Sequence, residues 1–296
     1  MRIAVFTKNR TNPAYAAARL GADRAGRALG VQILHFMPEK PDDPAEQSEL
    51  ITQALLRAPD AIALSPVHET LVDPAIRRIA AAGIPIVGFI NPVQAVASVC
   101  YVGADDERLG SEIARYLFEH LGGSGNVLLV TGHAHAVTSA ARVRGFEQAA
   151  RAYPGIALAG RCVGNYERST ARAEMAQWLA AHPRAQLDAC LVANDIMAVG
   201  VLEALDAAGR TAAVVGVNAI PEAITAIAAG RMLATADFNA MQMASLATEC
   251  AVRHLRGESV PLSIELPVQI VDRANCHLWD LPYEERPTLS LDQLKA

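Results

Sequence analysis

A chain of 296 residues that is 52% hydrophobic, 19% charged and poor in aromatic residues holds enough apolar material for two domain cores. Its formal net charge of −5, with no basic cluster or stripe, argues against a nucleic-acid partner, and no apolar run reaches the length of a bilayer crossing. Five cysteines without CxxC spacing indicate neither a zinc site nor a disulfide framework and read as buried free thiols.

The chain opens with a strand at 3–6, after which Asn12-Pro13 begins a helix whose stripe of Ala18, Ala22, Ala25 and Leu29 stops at Gly30. The alternation continues with strand 31–36, helix 45–58, strand 61–64, helix 73–82 with Pro74 in its first turn, strand 85–90 and strand 98–102. A helix carrying Leu109, Ile113, Leu117 and Leu121 follows, and the glycines of 122–125 predict a turn. The pattern then restarts: strands at 127–131, 158–163, 189–193, 214–217 and 232–236, with helices near 139–152, 168–181, 196–208 and 221–229.

Two sets of five short apolar strands, each alternating with helices, predict an α/β protein of two similar Rossmann-like lobes, each a parallel sheet flanked by helices. A helix at 241–256 and a strand at 267–271 come after both sets, so the chain crosses back between lobes and makes three hinge crossings. The expected N-terminal lobe is 1–104 plus 238–266, and the C-terminal lobe 105–237 plus 267–296. The stretch from 272 onward reads as an irregular tail packed on a lobe surface.

The segment 190–205 is the most informative. An apolar strand breaks at Asn194-Asp195 and resumes at helical spacing with Met197, Val201, Leu202 and Leu205. Asp195 is the natural N-cap there, while Asn194 ends the strand on the side where open α/β sheets bind ligands. Similar strand ends carry Asn9, Asn12, Asn91, Asn165 with Tyr166, Asn218, and Asp237 with Phe238. Each Asn suits a βα turn or cap as well as a ligand, but their recurrence in both halves favours a ligand whose hydroxyls donate and accept, flanked by the flat faces of Tyr15 and Tyr166.

Arg142, in SAARVRGF, stands just inside a helix after a strand end, with Arg144 on another face; one of the two is a solvated surface charge, and spacing alone does not say which. Asp237 is the candidate carboxylate to balance Arg142. His133 and His135 form an HxH pair that either lines a loop or holds a metal, without a third ligand at supporting spacing. The run Asp105-Asp106-Glu107 precedes a helix and reads as capping. Dinucleotide, P-loop and nucleophile-elbow motifs are missing, which leaves no catalytic residue, no cofactor and no metal to assign.

The segments NPAYAAARLGADRAGRALG (12–30), GIPIVGF (83–89), VGADDERLGSEIARYL (102–117), SAARVRGF (139–146), LDACLVANDIMAVGVLEAL (187–205) and VVGVN (214–218) together resemble the periplasmic sugar-binding proteins of the ribose-binding type. These type I solute receptors of ABC importers share their fold with the effector domains of lactose-repressor-like regulators. The resemblance implies two lobes that close on a ligand, docking on the membrane subunits of an ABC permease, a periplasmic location and a monomer. It implies ligand contacts from Asn12, Tyr15, Arg142, Tyr166 and Asn194. Asn218 replaces the usual aspartate, Ile90-Asn91 replaces an Asp-Arg pair, and Phe238 beside Asp237 stands where a glutamine is usual. These departures imply a neutral sugar or polyol other than ribose. The alternatives are the sensor domain of a regulator and, further off, a metal-assisted hydrolase built on His133 and His135. At Met1 the sequence enters its first strand without a leader, as a mature chain or a late start would.

Overall fold

The computed structural model describes residues 1–134 and 136–294. The chain divides into two compact units: Met1–Ala104, Asn239–Pro267 and the tail from Tyr283 form the first, Asp105–Phe238 and Val268–Pro282 the second. It therefore passes between units at 104/105, 238/239 and 267/268, and once more at 282/283 because the tail returns to the first unit.

In the first unit, β1 (Arg2–Phe6), α1 (Pro13–Leu29), β2 (Gln32–Phe36), α2 (Pro44–Leu56), β3 (Ala61–Leu64), α3 (Asp73–Ala81), β4 (Ile86–Phe89) and β5 (Cys100–Gly103) follow in order, and α9 (Ala240–Leu255) and β11 (Ser263–Glu265) complete it. The sheet runs β11-β5-β4-β3-β1-β2, all parallel. Strand alternation sorts its core. Ala4 and Phe6 join Ile62 and Leu64 against Ile51, Ala54, Ile76 and Ile79 of α2 and α3, and the opposite face is covered by α9, which packs on β1, β3, β4 and β5 and lies along α1. With helices on both faces every residue of β3 and β4 is buried, which is why these strands are continuous apolar runs.

The second unit begins with α4 (Asp106–His120) and β6 (Ser124–Thr131), then α5 (Val137–Ala150), β7 (Gly155–Val163), α6 (Arg168–Ala181), β8 (Ala189–Val192), α7 (Asp195–Ala207), β9 (Ala213–Val217), α8 (Pro221–Ala228) and β10 (Ala234–Asp237). Its sheet runs β12-β10-β9-β8-β6-β7, parallel except for β12 (Gln269–Asp272), which is antiparallel to β10. In both sheets the strand order reverses beside the first strand, at β1/β3 and at β6/β8, so the carboxyl ends of these strands frame the crevice where doubly wound sheets take ligands.

Three local expectations change. The turn expected over 122–125 runs instead over 121–123, with Gly122 and Gly123 both at positive φ, and Ser124 already belongs to β6. Strand β11, only Ser-Ile-Glu, is too short and too polar to show as a period and forms because the edge of β5 is open to it. The tail, assigned to the C-terminal lobe, packs on the first unit from Tyr283 on. There the Arg24 guanidinium donates to the carbonyls of Tyr283, Glu284 and Arg286, the Gln242 side chain bonds both the N–H and the C=O of Leu289, and Glu249 accepts from Leu291 N at 2.9 Å. Backbone groups of the tail, invisible in side-chain patterning, decide where it goes.

Candidate functional site

At the strand ends of the first unit, Asn12 is the N-cap of α1. Its Oδ1 accepts from Ala14 N at 3.0 Å, while its own N–H donates to Asn9 Oδ1 at 3.0 Å. Tyr15 follows in the first turn, half-buried. Two charges that sequence patterning did not single out lie nearby: Lys8, only 2% exposed at the end of β1, pairs with Asp42 at 3.1 Å. A lysine ending an apolar strand was the available signal, but its partner lies in the loop after β2.

Asn91 is positioned by an unusual turn. Ile90, a β-branched residue, has φ 64°, and Asn91 N–H donates to Phe89 O at 2.7 Å, which together describe a γ-turn of the rare, strained kind. Tyr101 OH donates to Ile90 O at 2.8 Å and Ile90 N–H to Val102 O at 3.0 Å, so neighbouring strand β5 holds the strain in place. Asn91 Nδ2 donates to Pro66 O at 2.7 Å, whereas Oδ1 is buried without a hydrogen-bond partner among the described residues.

In the second unit Arg142 lies on α5 and is 3% exposed. Its Nε donates to Asp106 Oδ1 at 2.7 Å, Nη1 donates to Ala193 O at 2.7 Å, and its guanidinium carbon stands 5.0 Å from the Phe238 ring centroid. The carboxylate in this ion pair is therefore Asp106, one of the three acids read as caps. Asp105 alone does the capping, accepting from Arg108 N at 2.9 Å, while Glu107 pairs with Arg144 at the exposed surface. Two glycines bring these residues together: a Cβ on Gly110 would overlap the Arg142 carbonyl, and one on Gly145 would overlap that of Glu107. These contacts set α4 close against α5, with both Arg142 and Gly145 on the face of α5 that meets α4. Asp237, expected to balance Arg142, accepts from Trp279 Nε1 at 3.0 Å. That tryptophan comes from the stretch after β12, which sequence patterning left as irregular.

Tyr166 lies over Gly132, where any Cβ would overlap its ring, and its hydroxyl meets Thr138 Oγ1 at 3.1 Å, one helical turn before Arg142. Asn165 and Tyr166 both have positive φ, 53° and 60°. His133 meets the Tyr166 ring edge-on at 6.0 Å between centroids; His135 lies outside the described residues, and no group of three His, Cys, Asp or Glu side chains able to hold a metal occurs among those described.

The assignments of Asn194 and Asp195 exchange. Helix α7 starts one residue earlier than expected, so Asn194 is the N-cap, its Oδ1 accepting from Met197 N at 3.1 Å, and Asp195 becomes the first helical residue with its side chain turned inward. That carboxylate is fully buried. It accepts from Thr235 Oγ1 of β10 at 2.7 Å and from Ile220 N at 3.1 Å, and it fills the space beside Gly216 of β9 where a Cβ would overlap it. Asp195 thus ties together the ends of β8, β9 and β10. Burial, reinforced by the charge of Asp237 and opposed by its hydrogen bonds, pushes its pKa up to about 7. The turn it braces contains Asn218 and Ala219 at φ 125° and 51°, with Asn218 N–H donating to Ala236 O at 2.8 Å.

In the second unit, then, Arg142, Phe238 and the Ala193-Asn194 end of β8 are in one cluster, joined to Tyr166 through Thr138, with Asn218 and Asp237 on the adjoining strand ends. In the first unit Asn12 and Tyr15 share the start of α1, and Asn91 stands at the end of β4, two strands from β1. Within each unit the strand ends thus set amide groups near an aromatic side chain, donors and acceptors of the kind that hydroxyls pair with.

A family model described as a periplasmic binding protein domain matches residues 3–259. The ribose import binding protein of Escherichia coli (strain K12) is 28% identical over 273 residues, which covers 91% of this chain and 90% of that protein. The xylitol-binding protein of Mycolicibacterium smegmatis is 26% identical over 241 residues, covering 81% of this chain and 68% of that protein. Among solved structures, an ABC transporter periplasmic solute binding protein from Actinobacillus succinogenes 130z with bound D-allose gives a TM-score of 0.87 at 25% identity, covering 93% of this chain and 99% of that one.

Proposed function

The chain belongs to the periplasmic binding protein domain family, and from that premise we propose that it is a solute receptor of an ABC importer that captures a neutral sugar or polyol. It is a binding protein, not an enzyme. Relatives named for ribose and xylitol support the ligand class, and no described helix is long and apolar enough to cross a membrane. On this reading the protein works in the periplasm as a monomer and hands its ligand to the permease. The contacts are Asn12, Tyr15, Asn91, Arg142, Tyr166, Asn194, Asn218, Asp237 and Phe238.

What supports this reading most directly is Asn91 Oδ1, a buried acceptor without a partner among the described residues. Leaving such a group unsatisfied costs roughly 1–3 kcal/mol, which a hydroxyl donor on the ligand recovers. A thermal-shift panel of sugars, polyols and cyclitols tests the class, since a ligand at about one hundred times its dissociation constant stabilises the native state by about 2.7 kcal/mol. No shift with any of them overturns the assignment. With the ligand in hand, Asn91→Leu is expected to weaken binding by roughly 1–3 kcal/mol while the chain stays folded. Unchanged affinity in calorimetric titration removes Asn91 from the site.

A further inference from the structure

The turn that carries Asn91 is shaped by a side chain from the next strand. Tyr101 stands opposite Gly88 in the β4–β5 register, and Gly103 lies two residues further along β5, so all three share one face of the sheet. Neither glycine presents a side chain there, and the phenol runs along β5 over Gly103. A Cβ on Gly103 would overlap the Tyr101 hydroxyl, and one on Gly88 would meet the ring edge at 3.5 Å. Laid out in this way, the half-buried phenol brings its hydroxyl to Ile90 O at 2.8 Å.

That carbonyl belongs to the peptide plane between Ile90 and Asn91. The plane is held at both edges: Tyr101 OH donates to its oxygen, and its N–H donates to Phe89 O at 2.7 Å. Local sterics disfavour isoleucine at φ 64°, so the turn persists only while its surroundings maintain it. Ile90 N–H on Val102 O at 3.0 Å and Asn91 Nδ2 on Pro66 O at 2.7 Å anchor the groups on either side, but neither touches the plane itself. Rotation of the plane would carry the Asn91 side chain with it.

We propose that Tyr101 is a positioning residue of the binding site. Its hydroxyl fixes the 90–91 peptide plane and through it the aim of Asn91, without touching the ligand, a role that rests on Asn91 being a ligand contact. Losing the hydroxyl lowers the fraction of molecules in which Asn91 Oδ1 is placed to accept, and apparent affinity falls by that fraction.

The test uses as probe the sugar, polyol or cyclitol that gives the largest thermal shift. Tyr101→Phe keeps the ring and deletes the hydroxyl; Gly103→Ala keeps the hydroxyl but occupies its place, at a backbone position that is not at positive φ. Each is expected to bind the probe about tenfold more weakly in calorimetric titration, with unliganded melting close to that of the wild type. Adding Tyr101→Phe to Asn91→Leu should cost nothing further, because a residue that acts through Asn91 then has nothing to position. Without any probe, amide exchange at Asn91 should accelerate about tenfold in Tyr101→Phe. Exchange at Val99, whose N–H bonds Ile86 O at 2.8 Å at the other end of the β4–β5 pairing, should not change. Wild-type affinity in Tyr101→Phe, losses that add in the double variant, or unchanged exchange at Asn91 overturns the proposal and leaves Asn91 in the site. A panel without a binder, or an Asn91→Leu variant that binds normally, removes Asn91 from the site and the role of Tyr101 with it. Tyr101→Phe decides the matter even where Gly103→Ala folds poorly.

Discussion

Replacing Arg142 with alanine is expected to weaken sugar binding by roughly 2–5 kcal/mol, the range for truncating one partner of a buried charge pair. The same change strips Asp106 of its cation at a site where the two side chains are 4% and 10% exposed, so the unliganded protein should also lose roughly 3–5 kcal/mol of stability. Arg142→Lys separates the two effects. It keeps a positive charge for Asp106 but loses the planar fork that reaches Ala193 O, so it should recover much of the stability and little of the affinity. Arg144→Ala is the control: its ion pair with Glu107 is half exposed and should contribute less than about 1 kcal/mol. Calorimetric titration together with unliganded melting reads all three. A variant lacking Arg142 that binds normally, or one lacking Arg144 that does not, contradicts the assignment.

Asp195→Asn should change how stability depends on pH. The folded pKa of Asp195, about 7, lies above its ordinary value of 3.8, so the native state holds the proton more tightly than the unfolded chain does. Its contribution is therefore fully present below about pH 4, declines as pH rises, and is lost above about pH 7. A shift of this size corresponds to roughly 4 kcal/mol across the window. Asparagine does not ionise, yet it can still accept from Ile220 N and donate to Thr235 Oγ1. The stability of the variant relative to the wild type should therefore rise by several kcal/mol between pH 4 and pH 8. Taking the difference cancels the other titrating groups. Parallel denaturation profiles across that range would show that the Asp195 carboxylate ionises normally in the folded protein.

The alternation of strands and helices was legible because both faces of each sheet are covered, which leaves β3, β4 and β8 without a single polar interruption. Arg142 was legible as a cleft candidate from its place just inside a helix after a strand end, though spacing alone did not separate it from Arg144 and only the family resemblance did. Its counter-ion was not: Asp106 lies 36 residues away, and its place in an acidic run before a helix fits capping equally well. Asn194 and Asp195 exchanged roles because both residue types cap helices, and a shift of one position decides which carboxyl or amide turns inward. The γ-turn that aims Asn91 could not be read at all, since local preference argues against a positive φ at isoleucine and only the hydroxyl of Tyr101 and the strand β5 maintain it. Lys8 and Asp42 make a similar case, a buried pair whose members look like ordinary surface charges in sequence.

The way the chain is threaded also sets an order of events during folding. Residues 105–238 are contiguous and contain β6 to β10 with their helices, so this part of the second unit can consolidate as soon as it has emerged, lacking only the edge strand β12. The first unit is made earlier but stays incomplete, because the part of its sheet that α9 covers, on β1, β3, β4 and β5 beside α1, remains open until α9 arrives. Until then the partly folded chain exposes apolar strand surface of the kind that aggregates.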